Sequence, residues 1–160
     1  MIHAEVVARV SGTPDEVAQM LFDIERWPTL FPVTIRAVRV AERDGTRTVV
    51  EVEHRAGRVR NVLIAVSSRE AVVEEWKPRY RARFRYRFDA EGHHTRLALT
   101  GEIWLERWAT VLEPLLGRHV RRQMRKYVVE PIQRAVRYGR ALPRGGQSAT
   151  PSVAAGPSFV

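Results

Sequence analysis

The side chains available for chemistry in this chain carry oxygen or nitrogen, because its 160 residues include no cysteine. A thiol nucleophile, a thiolate metal site and a disulfide are therefore excluded. The leading imidazole is His54, which ends the run Val50-Glu51-Val52-Glu53-His54. Alternation in that run puts His54 on the side of Val50 and Val52, and imidazole is the side chain best suited to proton transfer near neutral pH. The leading phenols are Tyr80 and Tyr86, within Arg79-Tyr80-Arg81-Ala82-Arg83-Phe84-Arg85-Tyr86-Arg87-Phe88. Strict alternation there sets Tyr80, Ala82, Phe84, Tyr86 and Phe88 on one face and five arginines on the other. A phenol facing an apolar cavity can donate to a carbonyl oxygen and stabilise a developing enolate. His54 and Tyr86 are accordingly the candidate catalytic residues.

Other groups offer less. His93 and His94 fall in a turn beside Gly92, His119 has helix neighbours of mixed polarity, and Asp23 and Glu25 are two apart and diverge on a helix. There is no His-Glu-x-x-His, Gly-x-Ser-x-Gly, phosphate-cradling glycine loop or dinucleotide fingerprint, so neither a metal nor a cofactor is expected.

The elements that must position these groups follow from periodicity. His3 to Ser11 alternates as a strand, and Thr13-Pro14-Asp15-Glu16 supplies an N-cap, a proline at the first helical position and a capping-box glutamate. A short helix follows, with a second expected around Trp27-Pro28 to Pro32. From Val33 to Glu106 the period is two, with breaks at Asp44-Gly45, Ala56-Gly57, Ser67-Ser68, Lys77-Pro78 and Glu91-Gly92, which cut out six strands joined as antiparallel hairpins. From Ala109 to Leu142 the apolar residues Leu112, Leu116, Val120, Met124, Val128, Ile132 and Val136 recur every four positions, as in one long amphipathic helix with Pro131 as a potential kink. The expected fold is α+β: a seven-stranded antiparallel sheet curled around a long C-terminal helix, as one domain over 1–142, with a flexible tail over 143–160. An apolar cavity between sheet and helix suits a hydrophobic small molecule.

This order of elements, with Val10-Ser11-Gly12-Thr13-Pro14-Asp15-Glu16-Val17 and Phe22-Asp23-Ile24-Glu25-Arg26-Trp27-Pro28-Thr29-Leu30-Phe31-Pro32, resembles the START-like, or SRPBCC, superfamily and its helix-grip fold. Within it, the nearest likeness is to the polyketide cyclase/dehydrase branch. The resemblance covers residues 3–142. It implies a cavity for lipids, sterols, quinones or polyketides, with Trp27 at its rim and Phe84 as a pocket aromatic. Aromatases of this type carry inward tryptophans, a serine and an arginine on one strand, where this chain has Arg60, Val62, Ile64 and Val66. Val62, Ile64, Tyr80, Leu99 and Leu116 join Trp27, Phe84 and Tyr86 as expected ligand contacts. A tyrosine that follows the Trp-Pro segment in those enzymes corresponds to about Thr34. The resemblance thus implies a polyketide cyclase or aromatase-like protein acting on a hydrophobic, carbonyl-rich substrate. The missing inward arginine favours the alternative, a non-catalytic lipid or isoprenoid-quinone binding protein.

The formal net charge of +9 describes a strongly basic chain. Nucleic-acid-binding sheets place aromatic and basic residues on one exposed face, whereas here they are segregated, which counts against DNA or RNA. Arg81, Arg83 and Arg85 of the strand and Arg121 and Arg125 of the helix suit an acidic acyl carrier protein or an anionic membrane surface. A solvated face is the simpler expectation for the strand row, with carboxylates such as Glu75 or Glu102 turned outward to relieve it. No apolar run approaches the roughly 20 residues of a membrane span, and Met1 to Ser11 lacks the order of a signal peptide, so the expected location is the cytoplasm.

Overall fold

The computed structural model describes residues 1–55, 57–77, 80–105 and 113–141. Strand β1 (Ile2–Ser11) leads into α1 (Pro14–Phe22), a single 3-10 turn (Ile24–Arg26) and α2 (Trp27–Leu30). Thr13 caps α1 as the sequence predicts. Its hydroxyl accepts from the Glu16 amide at 3.3 Å, and the Glu16 carboxylate accepts from the Thr13 amide at 3.0 Å, satisfying two of the free donors at the helix start.

Six strands follow: β2 (Ile35–Asp44), β3 (Arg47–His54), β4 (Gly57–Ser67), β5 (Glu70–Lys77), β6 (Tyr80–Glu91) and β7 (His94–Leu105). They form one antiparallel seven-stranded sheet in the order β1-β7-β6-β5-β4-β3-β2. The hairpin meander is thus closed on one side by β1, which pairs along its length with β7. The final helix runs as α3 (Glu113–Met124), a π-helical turn (Arg125–Val129) and α4 (Glu130–Ala141). Its expected start at Ala109 and the expected tail from Pro143 lie outside the described residues.

The π turn is how the long helix accommodates Pro131, the expected site of a kink. Pro131 has no N–H to give the Tyr127 carbonyl and its ring crowds that carbonyl. The turn before it opens, and the Glu130 amide bonds instead to Arg125 O, five residues back. A strict four-residue repeat would drift by about 40° per step on a 3.6-residue helix. The wider turn takes up part of that drift, and Met124, Val129, Ile132 and Val136 become the buried set, with Val128 only partly covered.

The inner face of the sheet carries Val6, Val50, Val52, Leu63, Phe88, Leu97 and Leu99, all buried against the short helices and the final helix. On β4 the register overturns an expectation. Val50 pairs with Asn61 and Val73 with Leu63, whereas Val62 and Ile64 pair with Glu74 and Val72. Asn61 and Leu63 therefore face inward, and Val62 and Ile64 face outward. Both faces of β4 are apolar, so alternation within that strand does not choose between them. The outward set stays dry because Val62 is buried together with Val49 and Val72.

Glu75 is corrected by the same register: paired with Asn61 and Ala82, it points inward rather than toward the arginines. Arg83 and Arg85 are met instead by Glu74 at 3.4 Å and Glu70 at 3.3 Å.

Gly101 on β7 faces Met124 of the final helix. A Cβ built there would lie 3.1 Å from Met124 Sδ and 3.2 Å from the Phe84 ring, so the absent side chain makes room for both. Gly101→Val should destabilise the fold by about 1–3 kcal/mol through overpacking, measurable as a lower denaturant midpoint at unchanged slope.

Candidate functional site

Between the inner sheet face and the final helix lies a cavity of about 460 Å³, the size of a small-molecule site. Trp27, Phe31, Phe84, Ile103, Val120 and Met124 supply much of its apolar wall. Trp27 is 3 % exposed, and its indole N–H donates to Leu21 O at 2.9 Å. That bond satisfies a donor whose burial unpaired would cost about 1–3 kcal/mol, and it fixes the ring where α1 gives way to α2.

His54 reaches the cavity from the end of β3. Its Nδ1 lies 3.0 Å from Thr34 O, and because a carbonyl can only accept, Nδ1 carries the proton in that contact. In the neutral ring Nε2 is then a lone pair. Nε2 is buried and has no hydrogen-bond partner among the described residues. Asn61, on the neighbouring strand, also lines the cavity, and its Oδ1 is equally buried and unpartnered.

A second polar group sits over β5 and β6. Glu75 Oε1 accepts from the Tyr80 hydroxyl at 3.0 Å and meets Lys77 Nζ at 2.6 Å. The Lys77 ammonium also stands 5.1 Å from the centre of the Tyr80 ring. Burial works against the Lys77 charge, but hydrogen bonds to Glu75 and Tyr80 and the charge of Glu75 outweigh it and raise the pKa. The amine therefore remains a cation and a hydrogen-bond donor, and not a free nucleophile. Burial, followed by the Glu75 charge, raises the Tyr80 pKa, and the same two causes raise that of Tyr86. Both phenols stay neutral donors.

Of the residues expected from sequence, Trp27, His54, Tyr80, Phe84 and Tyr86 line this one cavity. Leu99 is fully buried in the core behind it, Leu116 is half-buried outside the lining, and Val62 and Ile64 lie on the opposite sheet face. Asn61, Glu75 and Lys77 were not anticipated. Inside β4 and β5 they look like solvent-facing residues, and only the pairing of Asn61 with the buried Val50 shows that they point in.

The outer face carries the arginines. Arg81 is stacked between Trp76 and Trp104, with its guanidinium carbon 5.5 and 5.9 Å from the two ring centres, while Arg83 and Arg85 are ion-paired as described above. Arg121 and Arg125 are exposed on the helix on either side of Gln123 and Met124, which line the cavity. No helix among the described residues is long and apolar enough to cross a membrane, and no cluster of potential metal ligands occurs among them.

The raised phenol pKa values set the alkaline limit of the fold. A phenol whose pKa is higher folded than unfolded contributes stability that is complete below the ordinary value of about 10 and is lost as pH rises through the folded value. Lys77 acts in the same direction. Stability should hold across neutral pH and fall above about pH 10. In ultraviolet difference spectra Tyr80 and Tyr86 should ionise above the ordinary phenol range; ionisation of both within that range would contradict the buried placement.

No protein-family model matches the chain, and no curated protein matches it in sequence. Solved structures do match in shape. The Zhui aromatase/cyclase from Streptomyces sp. R1128 superposes with a TM-score of 0.70 at 15% identity, covering 91% of this chain and 98% of that one. A START superfamily protein from Mycobacterium smegmatis gives 0.68 at 11% identity, over 85% and 97% of the two chains. A point mutant of norcoclaurine synthase from Thalictrum flavum, in complex with a transition-state analogue, gives 0.66 at 12%, over 86% and 95%. At such identities the likeness is one of architecture: this chain has the helix-grip fold of the START-like proteins.

Proposed function

We propose that the protein binds a hydrophobic, carbonyl-rich substrate between the sheet and the final helix and directs its cyclisation, as a polyketide cyclase or aromatase does. The observation that carries this reading is the cavity-lining His54 imidazole, whose Nδ1 proton is held by Thr34 O and whose buried Nε2 has no partner among the described residues. That is the arrangement of a general base with an orienting acceptor.

In this scheme Nε2 takes a proton from a methylene flanked by two carbonyls. The enolate carbon attacks a second carbonyl of the same chain, forming the ring bond, and the new alkoxide takes the proton back from the imidazolium. Loss of water then gives the unsaturated ring. The Lys77 ammonium and the Tyr86 hydroxyl are the donors present for the enolate oxygen, and Trp27 and Phe84 would fold the chain by excluding extended conformers. These donors stand in for the arginine and serine that the resembling enzymes carry on the strand corresponding to β4.

The alternative is a binding protein for a lipid or an isoprenoid quinone, favoured by the mainly apolar wall and by an outer-facing Arg60, which pairs with Trp76. A synthetic linear poly-β-ketone separates the two. With the wild-type protein, ring products should form faster than in buffer. His54→Ala should slow them by about 10²–10⁴-fold, and Tyr86→Phe should change the product distribution while circular dichroism stays native. If neither substitution alters rate or products, the catalytic assignment fails and the binding reading replaces it.

A further inference from the structure

Among the described residues, the buried side-chain polar atoms without partners are of one kind. Asn61 is 5 % exposed, and its Oδ1 has no hydrogen bond among the described residues; His54 Nε2 is in the same state. Both are acceptors. For His54 this follows from the Nδ1 proton directed at Thr34 O. For Asn61 it follows from the chemistry of the group, since an amide oxygen can only accept. Of the nearby donors, the Tyr80 hydroxyl is committed to Glu75, and the Lys77 ammonium directs one of its three N–H groups there.

We infer that the cavity selects ligands that donate hydrogen bonds to Asn61 Oδ1 and His54 Nε2: an apolar ring system bearing phenolic or enolic hydroxyls, in preference to one bearing only ketones or ethers. A buried acceptor left unmatched makes a site discriminate strongly, because a ligand without the donor displaces water and gives nothing back. The inference deepens the proposed function and rests on its placing of ligand in this cavity. In a poly-β-ketone the donors arise on enolisation, so the two acceptors hold the enol tautomer and the phenolic product, and Asn61 is a specificity-determining residue.

Naphthoresorcinol and its dimethyl ether share a ring system and differ in whether their oxygens donate, so their affinities test the point by titration calorimetry. The diol should bind the wild-type protein at least ~10-fold more tightly. Asn61→Leu should remove most of that preference by weakening the diol, with the ether little changed. The diol, and not the ether, should also shift the His54 Nε2 resonance in nitrogen NMR, a readout that needs no variant if Asn61→Leu does not fold. Equal affinity for the two probes, or a preference that survives Asn61→Leu, overturns the inference while leaving the cavity a ligand site. Failure of both probes to bind overturns both.

Discussion

A seven-stranded sheet offers more apolar inner surface than one helix can cover, and the rest of this structure depends on that mismatch. The final helix packs closely along β1, and α1 and α2 close against its second half. Away from β1 the space between sheet and helix is only partly filled: Gly101 makes room for Met124 and Phe84, and the cavity occupies the remainder. Close packing would normally eliminate such a void. It persists here because large rings, those of Trp27, Phe84 and Tyr86, prop the layers, and because polar groups line part of the wall.

Those polar groups are costly where they are. Burying a charge beside apolar rings is tolerated only with a partner, and the Glu75–Lys77–Tyr80 group supplies its own. The Asn61 and His54 acceptors do not, and a fold with no use for them would be more stable with apolar residues of the same shape. The half of the wall that is internally satisfied is structural and electrostatic, and the half that is not points to a ligand. The outer face obeys a different economy. Its arginines are met by Glu70, Glu74, Asp89 and two tryptophans, each exposed pair contributing little alone. The row reads better as a solvated face than as a site.

The fold was legible because several local signals agree. The capping box at Thr13 and Glu16, the glycines at hairpin turns and the alternation of β3 and β6 each point to the observed elements. Alternation on β6 also placed Tyr80, Phe84 and Tyr86 on one side, and on β3 it placed His54 with Val50 and Val52. It failed on β4, where Val62, Leu63 and Ile64 are all apolar and a shift of one residue exchanges the faces. That ambiguity hid Asn61, and through it Glu75 and Lys77, since polar residues beside a misplaced register look like surface. The π turn was hidden for another reason: a proline announces a missing hydrogen bond, but not how the helix will accommodate it.

The most direct test of the central claim, that the cavity exists to hold a hydroxylated apolar ligand, is native mass spectrometry of the protein purified gently from its own host, followed by identification of any released molecule. One ring-containing, hydroxyl-bearing compound bound per chain, lost on unfolding, is the predicted result. A bound lipid or quinone carrying no hydrogen-bond donor would contradict it.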